Sequence, residues 1–138
     1  MSKTNIPLLF FIFILISPIN AYTQDKLNES LTIKLNKLKQ LASAEGISFR
    51  VTEGYRTKER QAELYAKGRT APGRIVTYRK NSTHCKGIAF DIVILKGKGV
   101  SWKGEDYFRI GEIGESLGLV WGGRWKTLRD YCHFQLKE

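Results

Sequence analysis

The sequence predicts one small domain of mixed helix and strand, and three observations predict it. Apolar residues fall at helical spacing in three separate stretches. Short alternating or fully apolar runs lie between them, bounded by glycine. The length of 138 residues is enough for a single core and not for two.

The first residues are expected to lie outside that domain. Lys3 belongs to a short polar segment, Leu8 to Ile16 is uniformly apolar, and Ser17-Pro18-Ile19-Asn20-Ala21 ends in small residues. That order is the pattern of a secretory signal peptide. The apolar run is shorter than the ~20 residues that span a bilayer, so a retained N-terminal anchor is the weaker alternative. No cysteine follows it to carry a lipid. The expected organisation is therefore a signal peptide over residues 1–21 and a domain over 22–138, secreted to the periplasm or cell wall with no stable membrane anchor after cleavage.

Lys26 to Ala44 reads as the first helix, with Leu27, Leu31, Leu35, Leu38 and Ala42 on one side and Gly46 beyond its end. Ile47 to Thr52 alternates apolar and polar residues as a half-buried strand does, and Glu53 to Thr57 is a turn. A short helix follows from Lys58 to Lys67, with Thr57 as its N-cap and Ala62, Leu64 and Tyr65 inward. Arg69 to Arg74 is a loop, and Ile75-Val76-Thr77 is expected as a brief strand. Ile88 to Leu95 is apolar on both faces, as a central strand would be. Glu105 to Leu117 forms the third helix, packed through Tyr107, Phe108, Ile110, Ile113 and Leu117. Tyr131 to Leu136 closes the chain as a strand on which His133 shares a face with Tyr131 and Gln135.

The chain carries 23 basic and 13 acidic residues, a net charge of +10. An exported chain is not placed to meet nucleic acid, so anionic wall polymers or membrane surfaces suit the charge better; plain solubility is the bland alternative. Cys85 and Cys132 are the two cysteines, each beside a histidine. In an oxidising compartment an even count makes them a possible disulfide, against burial as two small apolar side chains.

The chemistry concentrates in Ser82 to Asp91 and in Asp130 to Gln135. These stretches contain both histidines, His84 and His133, together with Asp91 and Asp130. An aspartate inside an apolar strand is costly to bury unless it is paired or binds a metal, which makes Asp91 a candidate ligand. Two imidazoles and a carboxylate are a catalytic zinc set that leaves a fourth position for water, and they lower the site's charge to about +1. Asp130 is the spare carboxylate for acid–base work. It stands three residues before His133, so a turn there is needed to bring both to one side. The same ligand types serve iron oxygenases, but those need a larger barrel than this chain supplies.

At these residues a resemblance emerges. Ser82-x-His84-x-x-Gly87-x-Ala89-x-Asp91 followed by Asp130-x-x-His133 resembles the signature of the zinc D-alanyl-D-alanine carboxypeptidase and L-alanyl-D-glutamate endopeptidase family, peptidase family M15. The likeness extends through Gly54-Tyr55-Arg56-Thr57, Gln61, Leu64-Tyr65, Gly68 to Thr77 and Trp121-Gly122-Gly123-x-Trp125, and is nearest to the bacterial and phage L-alanyl-D-glutamate peptidases. It implies an α+β domain of the hedgehog/DD-peptidase type, with an antiparallel sheet flanked by about three helices. It also implies one Zn2+ ion held by His84, Asp91 and His133, with Asp130 as catalytic base. Arg56 would bind a substrate carboxylate or a developing oxyanion. Ser82 and Trp125 are further candidate substrate contacts, and Trp121 is a candidate for the cleft or for the core.

The activity so implied is hydrolysis of peptidoglycan stem peptides, at the L-Ala–D-Glu bond, by a monomer. The alternatives are a D-Ala-D-Ala or L,D-carboxypeptidase on the same substrate, or a non-catalytic cell-wall-binding module. A spare carboxylate at Asp130 argues against the last, because a closed structural zinc site has no use for one.

Overall fold

The computed structural model describes residues 26–138; the expected signal peptide lies outside them. A five-stranded antiparallel sheet packs two of its three helices into a core on one face, and the third lies beside the cleft on the other. Strands β1 (Ser48–Glu53), β2 (Ala89–Lys96), β3 (Gly99–Ser101), β4 (Val120–Trp121) and β5 (His133–Gln135) run in the order β1-β2-β5-β4, with β3 hairpinned onto β2. Helices α1 (Glu29–Ala44), α2 (Lys58–Ala66) and α3 (Phe108–Ser116) complete the α+β domain. Among the described residues no helix is long and apolar enough to cross a membrane.

Helix α1 starts at Asn28, whose side chain accepts from the backbone N–H groups of Ser30 and Leu31. Its Leu31, Leu35, Leu38 and Ala42 are buried against the sheet. Each buried leucine contributes about 1.5–3 kcal/mol, whereas propensity differences between ordinary helix residues reach only ~0.7 kcal/mol. The stripe therefore decides the helix. Alternation along β2 sends Phe90, Ile92 and Ile94 into this core and turns Asp91 to the opposite face.

Helix α3 departs from its expected packing. Phe108 is 45% exposed, and the inner face is Ile110, Gly111, Ile113 and Gly114. The two glycines are contact points: a Cβ on Gly111 would stand 2.4 Å from the Trp121 indole, and one on Gly114 would stand 2.6 Å from the Phe134 ring. Trp121 is a core residue, 1% exposed, with its indole N–H on the Tyr131 carbonyl at 2.8 Å.

Two further expectations fail. Residues 75–77 form no strand: Ile75 and Val76 are exposed, and no other strand lies beside them. In α2 the inward residue is Gln61, while Ala62 is exposed.

Candidate active site

Strand register assembles the site. Glu53 stands opposite Asp91 across β1 and β2, and Asp91 stands opposite His133 across β2 and β5. Residues paired across antiparallel strands share a face, so one row of three points away from α1 and α3. His84 joins the row from a 3-10 turn at Thr83–Lys86, just before β2. Ser82 caps that turn by accepting from the His84 backbone N–H at 3.3 Å. Gly87 ends it at φ 70°, a conformation that suits glycine.

The donor atoms of His84, Asp91 and His133 all lie within 4.8 Å of one another. Nε2 of His84 is 3.3 Å from Asp91 Oδ1, and Nδ1 of His133 is 3.1 Å from the same oxygen. Each imidazole turns its other nitrogen to an acceptor. His84 Nδ1 donates to the Gly54 carbonyl at 2.7 Å, and His133 Nε2 donates to Gln135 Oε1 at 2.9 Å. With those protons so placed, two nitrogen lone pairs converge on a carboxylate, an arrangement that calls for a cation between them. Ligand bonds of ~2.0–2.1 Å in a tetrahedron put neighbouring donor atoms about 3.3 Å apart, which matches the two histidine–aspartate separations. The three residues fit a zinc-sized cation.

Electrostatics agree for the metal-free protein. Burial works to raise the Asp91 pKa, but bonds from His133 and His84 outweigh it and hold the carboxyl well below the usual range. Burial works to lower the His133 pKa, and the bond and charge of Asp91 more than reverse that. In the metal-free protein the protonated form of His133 is favoured where a cation would sit.

Around this centre lies a cleft of about 480 Å³ lined by two segments. One brings Thr77, Arg79 and Ser82, the other brings Trp125, Arg129 and Asp130, and Arg56 enters beside them from the end of β1. The segments meet where the Arg79 guanidinium lies 5.9 Å from the centre of the Trp125 ring. Trp125 also stands 5.2 Å from His133, ring to ring. Asp130 is aimed by a turn at 131–132, closed by the His133 N–H on the Asp130 carbonyl at 3.4 Å. Gly122 supports that turn from behind: its carbonyl accepts from Asp130 N–H at 3.1 Å, and a Cβ there would meet the Asp130 carbonyl at 2.4 Å.

Arg56 is held rigidly. Nε and Nη2 donate to the two Glu53 oxygens at 2.7 and 2.5 Å, Nη1 donates to Gln61 Oε1 at 2.6 Å, and the backbone N–H donates to the His84 carbonyl at 3.1 Å. Glu53 is thereby occupied as the partner of Arg56, while Asp130 makes no ion pair among the described residues.

Residues 76–136 match the model of a peptidase family described as D-alanyl-D-alanine carboxypeptidase. The peptidoglycan L-alanyl-D-glutamate endopeptidase CwlK of Bacillus subtilis is 39% identical over 111 residues, covering 72% of this chain and 66% of that protein. The chain belongs to this peptidase family. The L-alanyl-D-glutamate peptidase of Listeria phage A118 is 32% identical over 117 residues, covering 80% of this chain and 38% of that protein. The L-Ala D-Glu endopeptidase ChiX of Serratia marcescens superposes with a TM-score of 0.70 at 27% identity, covering 84% of each chain. This chain thus spans about two thirds of the Bacillus relative and over a third of the phage one.

The fold expected from the family resemblance is the one found. His84, Asp91, His133, Asp130, Arg56, Ser82 and Trp125 all meet in one cleft. The disulfide is a correction: Cys85 and Cys132 are both free thiols. The Cys85 thiol turns to the Thr57 carbonyl at 3.8 Å, while Cys132 packs against the core. The residue reading passed over the roles of Gln61 and Gln135. Gln135 had a legible signal, since it sits two residues from His133 on one strand face. Gln61 had none beyond its place in the family motif.

Proposed function

We propose that the chain is a zinc-dependent peptidoglycan peptidase that hydrolyses the L-Ala–D-Glu bond of stem peptides. The observation that carries the reading is the meeting of a His84–Asp91–His133 ligand set with a separate carboxylate, Asp130, in one open cleft. The names of the Bacillus, phage and Serratia relatives support the choice of bond.

Zinc held by these three residues would supply Lewis acidity toward the scissile carbonyl and the attacking water. Asp130 accepts the proton of that water and returns it to the leaving amine nitrogen. Arg56, fixed by Glu53 and Gln61, presents its remaining N–H groups to a substrate carboxylate or to the developing oxyanion. Trp125, beside His133, offers a flat apolar surface to the peptide. Ser82 acts first as the cap that orients His84, and its place in the cleft also lets its hydroxyl meet substrate.

Export follows from the same reading: residues 1–21 direct the domain to the periplasm or wall, where it works as a monomer. The deciding experiment is digestion of purified peptidoglycan by the full chain with zinc, and identification of the fragments by mass. New L-alanine C-termini paired with D-glutamate N-termini are expected. Release of D-alanine alone would make it a carboxypeptidase, and no release would leave a binding module.

A further inference from the structure

Gln61 is 1% exposed, an unusual position for an amide, and it is the one buried residue of its nine-residue helix. Both ends of that amide are used. Oε1 accepts from Arg56 Nη1 at 2.6 Å, and Nε2 donates to the Arg79 carbonyl at 2.6 Å. Its backbone is equally fixed, since the Gln61 N–H donates to the carbonyl of Thr57, the helix N-cap, at 3.0 Å. The amide therefore stands at a set place between a cleft cation and the cleft segment that carries Arg79 and Ser82.

The chemistry of the amide matters as much as its place. A guanidinium has five N–H donors. Glu53 takes those on Nε and Nη2 and Gln61 takes one on Nη1, which leaves one donor free on each terminal nitrogen. Glu53 already supplies one negative charge to this cation. A glutamate at 61 would accept the same bond but add a second negative charge, and as a carboxylate it has no proton to give the Arg79 carbonyl. Glutamine is the side chain of that length that accepts on one side, donates on the other and is neutral.

We propose that Gln61 is a positioning residue that aims Arg56 into the cleft without cancelling its charge, and ties that cation to the Arg79 segment so that the two hold one geometry. This rests on the cleft being the peptide-hydrolysing site.

The test is a double-mutant cycle on the zinc-loaded full chain, with a soluble peptidoglycan peptide as substrate. Gln61→Met keeps the length and removes both bonds. We expect kcat/KM to fall on the order of 10²-fold, the scale of a small misplacement near the reacting groups. Zinc stoichiometry should stay at the wild-type level. In an Arg56→Ala background the same substitution should cost no more than about threefold, because residues acting through one another are not additive. Equal losses in both backgrounds would mean that Gln61 only holds the fold, and would overturn the proposal. Gln61→Glu should fall with the methionine variant; wild-type kcat/KM in it would overturn the charge argument. A readout free of activity is nitrogen-15 NMR of the Arg56 guanidinium. Hindered rotation in the wild type and faster rotation in either variant are expected, and an unchanged spectrum counts against the proposal. If the wild type cleaves no peptide, the functional reading fails while the NMR comparison still judges Gln61.

Discussion

His133 and Gln135 stand two residues apart on β5, with His133 Nε2 2.9 Å from Gln135 Oε1. The two-residue period of a strand puts both on the cleft face. The amide oxygen, which Thr83 Oγ1 also meets at 3.3 Å, takes the Nε2 proton and leaves the Nδ1 lone pair towards Asp91. Gln135→Leu keeps the bulk and removes that acceptor. Zinc affinity should fall by about 10–100-fold, the usual cost of losing a partner behind a metal ligand. Competition against a coloured chelator measures it; unchanged affinity would mean that the imidazole is held by something else.

Removing the metal should cost stability as well as activity. Zinc at about 100 times its Kd stabilises the folded state by about 2.7 kcal/mol, which for a domain of this size corresponds to a Tm shift on the order of 10 °C. A chelator should lower the Tm by that amount, and His84→Ala, Asp91→Ala and His133→Ala should each abolish the difference. Full zinc occupancy in any one of them would remove that residue from the ligand set.

Asp130→Asn separates catalysis from metal binding. The amide preserves size but cannot take a proton from water, so hydrolysis should drop by roughly 10²-fold or more. Bound zinc and Tm should stay at wild-type values, as read by metal analysis and calorimetry. Release of zinc would make Asp130 a ligand and leave Asp91 needing another role.

The pH dependence should reverse sign with the metal. In the metal-free protein the Asp91 pKa is depressed, so its contribution is present above the unfolded value of ~3.9 and is lost as pH falls through the lower folded value. The His133 pKa is raised, so its contribution is present below ~6.5 and is lost as pH rises through the folded value. Chelated protein should therefore lose Tm as pH rises above about 6.5 and through the raised folded value. Zinc-loaded protein should gain over the same range, because ligands must shed protons to bind metal. Parallel curves would show that the retained proton and the cation do not share a place.

The cysteines should behave as two unlike thiols. Burial, with the Asp130 charge beyond it, pushes the Cys132 thiol up to about 12, so at pH 8 it is almost wholly protonated. Iodoacetamide should modify Cys85 first, with Cys132 reacting only on denaturation. Peptide mass mapping of the native protein gives the answer, and a tryptic peptide joining the two would restore the disulfide.

What the sequence revealed, it revealed where a residue contradicts its surroundings. Asp91 in a run of aliphatic residues is expensive unless something pays for it, so the ligand was legible without a structure. The leucine stripe of α1 was legible for the converse reason, that burial dominates propensity there. Residues 75–77 deceived because β-branched side chains suit strands, yet a strand needs a partner. Here the backbone is used by side chains and close packing instead: Arg69 donates to the Thr77 carbonyl at 3.1 Å, and Gly68 packs against the Ile75 backbone. Strand β3, three residues long, is too short to show a period. The inner face of α2 was misread because it packs through a hydrogen-bonded amide, and hydrophobic patterning cannot register an interior made of polar bonds.

The paired glycines of α3 bear on how this protein can be engineered. By local rules Gly111 and Gly114 invite replacement with alanine, which gains ~1 kcal/mol per site in an exposed helix. Here each new methyl would press on Trp121 or Phe134, and overpacking costs about 1–3 kcal/mol. Phe134 is the next residue after His133, so the displaced ring would drag a candidate ligand with it. Consensus-style helix stabilisation would therefore blunt the catalyst from the reverse side of the sheet, and thermostable variants are better sought on the exposed face of α1.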